Sequence, residues 1–202
     1  MARSPKKSAP KKAAKQKLTI LKSRVTYRAP VFFVTSETVR EPSGVTARRD
    51  IVRHPGSVVV LGVDRSEAEP RVLLERQYRY AAEKVMWELP AGRIDPGETA
   101  LEGAKRELIE ETGYRARKWS KAMFFYVSPG FLDETMTIYL ADGLTPGEAT
   151  PEEDEVIHTT LVPLRKAVEM VMSGTIRDAK TIAGLLWFAK KEQTLDEKDS
   201  EN

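Results

Sequence analysis

The chain has 202 residues, 41% of them hydrophobic, with 33 Lys/Arg against 30 Asp/Glu and no cysteine. That length suits one globular domain with extensions, and the apolar content is enough for a core. A disulfide framework, a thiolate metal site and a cysteine nucleophile are excluded, which fits a reducing cytosol, and no run approaches the roughly 18–20 apolar residues needed to span a bilayer.

The first 17 residues, MARSPKKSAPKKAAKQK, carry seven Lys/Arg and no acid, so the remainder is net −4. The segment has no apolar h-region and no apolar period, so it reads as a disordered basic tail and not as a secretory signal. A solvated extension is favoured over an arm that touches nucleic acid.

RVTYRAPVFFVTSETV and VTARRDIVRH, separated by the turn EPSG, read as a small antiparallel sheet over residues 18–55. SVVVLGVD is a nearly continuous apolar run, which predicts a buried strand, and RVLLERQYRY and VMWELP follow as strands. After a helix come the strands KAMFFYVS, ETMTIYLADGL and VIHTTLVPL, then the helices LRKAVEMVMSG and TIAGLLWFAKK. Strands mixed with helices indicate an α/β domain over residues 56–192. The polar end, residues 193–202, reads as a disordered acidic tail.

The helix between these strands carries the chemistry, in GRIDPGETALEGAKRELIEETGY, residues 92–114. Thr99 and Glu102 have capping-box spacing, Pro96-Gly97 forms the preceding turn, and Gly113 ends the helix. Leu101, Ala104, Leu108 and Thr112 form a packing face, and Glu107, Glu110 and Glu111 are expected to project together from the opposite side. Like charges at i,i+4 cost helix stability, and residues 107–114 contain no base to offset them. Two readings remain from physics alone: a solvated acidic face, or oxygen ligands for a hard divalent cation such as Mg²⁺.

The spacing resembles the Nudix box. Gly92, Glu98, Arg106-Glu107-Leu108, Glu110-Glu111 and Gly113 all fall at the defined positions, and Tyr114 departs from an aliphatic packing position. Nudix hydrolases cleave nucleoside diphosphates linked to another moiety. WELPAG and RQYRYA before the box and SPGFLDE after it are similar to the ADP-ribose pyrophosphatase branch, over residues 20–190.

The resemblance implies an α/β/α sandwich with a mixed sheet, preceded by the small N-terminal sheet that exchanges between the subunits of a homodimer. It implies Mg²⁺, or Mn²⁺, held by Glu107, Glu110, Glu111 and the carbonyl of Ala91, with Glu98 and Arg106 orienting the cluster. It places Arg79 against a diphosphate and Glu88 and Glu134 near the nucleotide-sugar substrate. Arg49, with Phe32 and Phe33 as rivals, is expected to stack on adenine from the partner subunit. In TPEEDEVI the resemblance assigns Glu153 as general base and Glu155 as a metal or water partner, with Glu152 or Glu155 the alternates for the base. Other nucleotide sugars such as GDP-mannose, and a non-catalytic ADP-ribose sensor that binds DNA, are the competing functions.

Overall fold

The computed structural model describes residues 17–151 and 156–199. The chain forms two compact units, residues 1–53 and 54–202. The basic tail lies, apart from Lys17, outside the described residues.

In the first unit β1 (Thr19–Arg28), β2 (Phe33–Arg40) and β3 (Thr46–Arg53) form an antiparallel sheet with β2 central. The sequence suggested two β-rich segments. The first is divided because the chain reverses at Pro30, closed by the Ala29 N–H donating to Phe32 O at 2.8 Å. Pro has no N–H to continue a ladder. Every residue of β1 is exposed, including Ile20, Leu21, Val25 and Tyr27.

The second unit is a three-layer α/β/α sandwich. Its sheet has the order β10-β5-β4-β9-β8, built from β4 (Ser57–Asp64), β5 (Arg71–Arg79), β8 (Arg115–Tyr126), β9 (Thr135–Thr145) and β10 (His158–Pro163). β6 (Lys84–Glu88) pairs with β5, and β7 (Ala91–Arg93) with β4. β4 and β9 are parallel and the other pairs antiparallel, so the sheet is mixed. The continuous apolar run of β4 follows from its place: both faces are covered. Val58 and Val60 pack with Ala104 and Leu108 of α1 (Ala100–Thr112). Val59, Leu61 and Val63 pack on the other face with Ala167 of α2 (Leu164–Met172) and Leu185 and Phe188 of α3 (Ala179–Asp199). Each of the buried valines, leucines and the phenylalanine stabilises the fold by about 1.5–3 kcal/mol.

α3 meets the sheet closely at Gly184, where a Cβ would lie 2.8 Å from the Leu89 side chain. The helix runs to Asp199, past the point where the sequence suggested a disordered tail. Lys, Glu and Gln are good helix formers, and Glu192 is fixed to Arg65 by two hydrogen bonds of 2.7 and 3.0 Å.

Candidate active site

α1 is held at both ends by its own sequence. Thr99 Oγ1 accepts from the Glu102 N–H at 3.3 Å and the Glu102 carboxylate accepts from the Thr99 N–H at 2.8 Å, completing the capping box. Gly113 takes φ +73°, and a Cβ there would stand 2.5 Å from the carbonyl of Gly147. The two backbones therefore cross in contact, and the Thr150 N–H donates to Glu110 O at 2.9 Å. The segment leading to Glu152, Glu153 and Glu155 is tied to the C-terminal turn of α1. Those three glutamates lie outside the described residues.

The acidic side chains do not oppose the packing face. Glu107 and Glu111 are buried beside Ala104, Leu108 and Thr112. At about 100° per residue, a position three along the helix falls only about 60° from the starting one, which makes the two groups neighbours. Glu107 is pressed on Gly92 of β7, where a Cβ would lie 1.9 Å from Oε1. Glu111 Oε2 accepts from the Ala91 N–H at 3.0 Å. The box glycine is thus needed for space.

Arg106 gathers the remaining acids. Its Nε donates to Glu98 at 3.0 Å, Nη1 to Glu107 at 2.7 Å and Glu110 at 2.8 Å, and Nη2 to the Arg93 carbonyl at 2.9 Å. The hydrogen bond from Arg106 holds the Glu98 carboxyl below its ordinary range, and the guanidinium itself is raised, first by Glu98. Three carboxylates, Glu98, Glu107 and Glu110, bond this one guanidinium, and Glu111 lies one turn beyond Glu107 on the same helix. Among the described residues no three acidic or histidine side chains converge closely enough to hold an ion in this arrangement, because Arg106 stands between Glu98, Glu107 and Glu110. The donor set itself suits a hard divalent cation: oxygen only, on successive turns, with surplus negative charge.

A second ionic cluster lies where β5 meets β6. Arg79 donates to both oxygens of Glu88, Nε at 2.8 Å and Nη2 at 2.9 Å, leaving Nη1 outside the pair. Glu88 also accepts from Lys180 of α3, and Lys180 Nζ is 3.1 Å from Asp178. Asp178 caps α3, accepting from the Thr181 N–H at 3.0 Å and its hydroxyl at 2.6 Å, and Thr181 Oγ1 accepts from the Leu89 N–H at 2.8 Å. Burial pushes the Glu88 carboxyl up, but the Arg79 hydrogen bond and the charge of Lys180 outweigh it, and the net shift is downward. Burial acts to lower Arg79, and its bond to Glu88 with the charges of Glu88, Glu75 and Glu111 raises it overall. Of the α1 carboxylates, Glu111 is the one whose charge acts on Arg79.

Sequence reasoning missed Lys180, Asp178 and Glu75. Glu75 is fully buried and pairs across the ladder with Glu88. The available signals were a charge inside the run RVLLERQY and a lysine four residues before Gly184 on a buried helical stripe. Glu88, expected near substrate, has both oxygens engaged by Arg79 and Lys180. Glu134 accepts from Ser57 Oγ at 2.7 Å. Arg49 belongs to the first unit and pairs with Glu41 at 2.6 Å. Two cavities, about 520 Å³ between α2 and α3 and about 470 Å³ beside Arg65 and Asp142, contain none of the α1 carboxylates. Concavity alone would have pointed elsewhere.

The NUDIX domain family matches residues 53–185. The chain is 38% identical over 176 residues to an ADP-ribose pyrophosphatase of Bacillus subtilis, covering 86% of this chain and 93% of that protein. It is 32% identical over 154 residues to a GDP-mannose pyrophosphatase of Cronobacter sakazakii, covering 72% of this chain and 79% of that one. A solved structure of an ADP compounds hydrolase superposes with a TM-score of 0.76 at 24% identity, over 91% of this chain and 98% of that one, which shows a shared fold.

Proposed function

The chain belongs to the NUDIX domain family and is a Nudix hydrolase, and from that premise we propose that it hydrolyses the diphosphate bond of ADP-ribose to AMP and ribose 5-phosphate. The observation that carries the reading is the buried wall of Glu107 and Glu111 against Ala91-Gly92. A diphosphate repels an attacking water, so catalysis needs positive charge, orientation and a base.

Glu107, Glu110, Glu111 and the Ala91 carbonyl would hold Mg²⁺ (Mn²⁺ is the alternative), which when bound supplies charge against the diphosphate and acidity to a water. Arg106 and Glu98 keep those carboxylates in place. Arg79 offers its Nη1 edge to a phosphate oxygen, in keeping with guanidinium fork geometry. Glu153 takes the proton of the attacking water and Glu155 assists. Its support is the anchoring of Thr150 to Glu110 O, three residues ahead. Glu134 contributes to substrate binding, and Glu88 does so by holding Arg79.

A homodimer formed through the N-terminal sheet is part of the proposal, supported by the apolar side chains exposed along β1. In that assembly Arg49, or Phe32 or Phe33, would stack on adenine. A cytoplasmic location fits a chain without cysteine, and no helix among the described residues is long and apolar enough to cross a membrane. A second reading, GDP-mannose or another nucleotide sugar, is favoured by the similarity to the GDP-mannose pyrophosphatase. A panel of nucleotide sugars assayed with Mg²⁺ for phosphate-monoester products decides between them. Turnover of ADP-ribose above the others confirms the first reading, and preference for GDP-mannose replaces it. No turnover of any favours a non-catalytic sensor.

A further inference from the structure

Lys180 is a buried lysine that the chemistry above does not use; its side chain is only 7% exposed. It sits in the first turn of α3, where a positive charge is disfavoured by the helix dipole as well as by burial. Two acids hold it there, Glu88 and Asp178. Glu88 in turn spends both oxygens on Arg79, whose side chain is 37% exposed. The chain of contacts runs from the α3 N-terminus through Glu88 to the partly exposed guanidinium of Arg79. Thr181 pins the next backbone position, Leu89, so the residues from 88 to 92 are fixed from the α3 side before they meet Glu111 and Glu107.

We infer that Lys180 is a positioning residue for diphosphate binding: it holds the buried Glu88 carboxylate in the orientation that aims Arg79 at the substrate. Without Lys180, Glu88 keeps one cation instead of two and faces the unscreened charge of Asp178, which pushes it out of its present orientation together with the Arg79 fork. A lysine at the far side of β6 therefore belongs to the substrate site although it touches no substrate. This rests on the proposed diphosphate hydrolysis, and wild-type turnover of a nucleotide sugar tests that premise separately.

The experiment is a double-mutant cycle on the full-length protein with the best nucleotide sugar and saturating Mg²⁺. Lys180→Met and Glu88→Gln are each expected to raise KM by about tenfold with a smaller change in kcat, the signature of lost ground-state binding. The double variant should be no worse than either single one, because the two residues act in series on Arg79. Lys180→Arg keeps the charge and should stay within about threefold of wild-type KM, a rescue that a purely structural role does not produce at the level of KM. If Lys180→Met fails to fold, the double variant, which removes one charge of each sign, and Lys180→Arg still decide. Effects of Lys180→Met and Glu88→Gln that multiply would overturn the inference. So would a Lys180→Met enzyme with lowered melting temperature and unchanged KM, or a Lys180→Arg enzyme as impaired as Lys180→Met.

Discussion

The ionic cluster around Arg106 and the one at the β5–β6 corner are both built from buried and half-buried acids and bases, and they differ in balance. Around Arg106 three carboxylates bond one guanidinium, whereas at the β5–β6 corner Arg79 and Lys180 pair with Glu88 and Asp178. A balanced buried cluster contributes little net stability, but removing one member costs about 3–5 kcal/mol, because it strands a charge. An unbalanced one carries repulsion that the fold alone does not need. Surplus charge of one sign therefore marks where a ligand of the other sign belongs, and pairing marks side chains that are held in place, Arg79 among them.

The sharpest way to break this comparison is Glu111→Gln. Turnover should fall below detection while the metal-free protein keeps or gains thermal stability, since one repulsive charge is gone. A clear loss of melting temperature in metal-free buffer would mean that Glu111 is framework. Next in size, Glu153→Gln should lower kcat by about 10²–10⁴, the usual worth of a positioned base, with little change in KM or metal requirement. Glu107→Gln should instead raise the metal concentration needed for activity, so metal titrations of the two variants separate base from ligand. If they behave alike, the base is Glu152, Glu155 or none of the loop acids.

Gly92→Ala tests the wall itself. A Cβ within 1.9 Å of Glu107 Oε1 must displace that carboxylate. Apparent Mg²⁺ affinity should drop by about 10–100-fold, the scale found when a ligand loses its supporting shell; an unchanged Mg²⁺ titration would show that Glu107 does not bind the ion.

A smaller effect distinguishes the balanced corner. The folded pKa of Glu88 lies below its ordinary 4.5, so its contribution is present above about that pH and is lost as pH falls through the lower folded value. Melting curves of wild type and Glu88→Gln should therefore converge as pH drops below about 4.5. A gap that stays constant with pH would remove the charge from the account. The smallest expected effect is from deleting residues 1–17: kcat and melting temperature should both stay at wild-type values, because a segment with no apolar period buries little. A large loss in either would make the tail part of the fold or the site.

Legibility in the sequence followed the range of the interactions. The strand β4, the capping box of α1 and the stop at Gly113 were readable because each depends on residues within a few positions. The Nudix spacing was readable because one helix and the turn before it carry nearly all of it. The position of Glu107 and Glu111 was misjudged, since the period alone does not say how wide the buried sector of a helix becomes once a strand such as β7 lies against it. Lys180 and Glu75 were not read as site residues, because their partners lie 92 residues away in the chain or across a ladder.

The sequence by itself determined the α/β class, the carboxylate-rich helix and membership in the family, all of which rest on local spacing and composition. Only the tertiary structure decided which charges are balanced. It brought Gly147 onto Gly113, Gly92 onto Glu107, and the first turn of α3 onto β6. The reason is physical: whether a carboxylate is framework or ligand depends on the counter-charges within a few ångströms of it, and in a folded chain those come from residues far away in sequence.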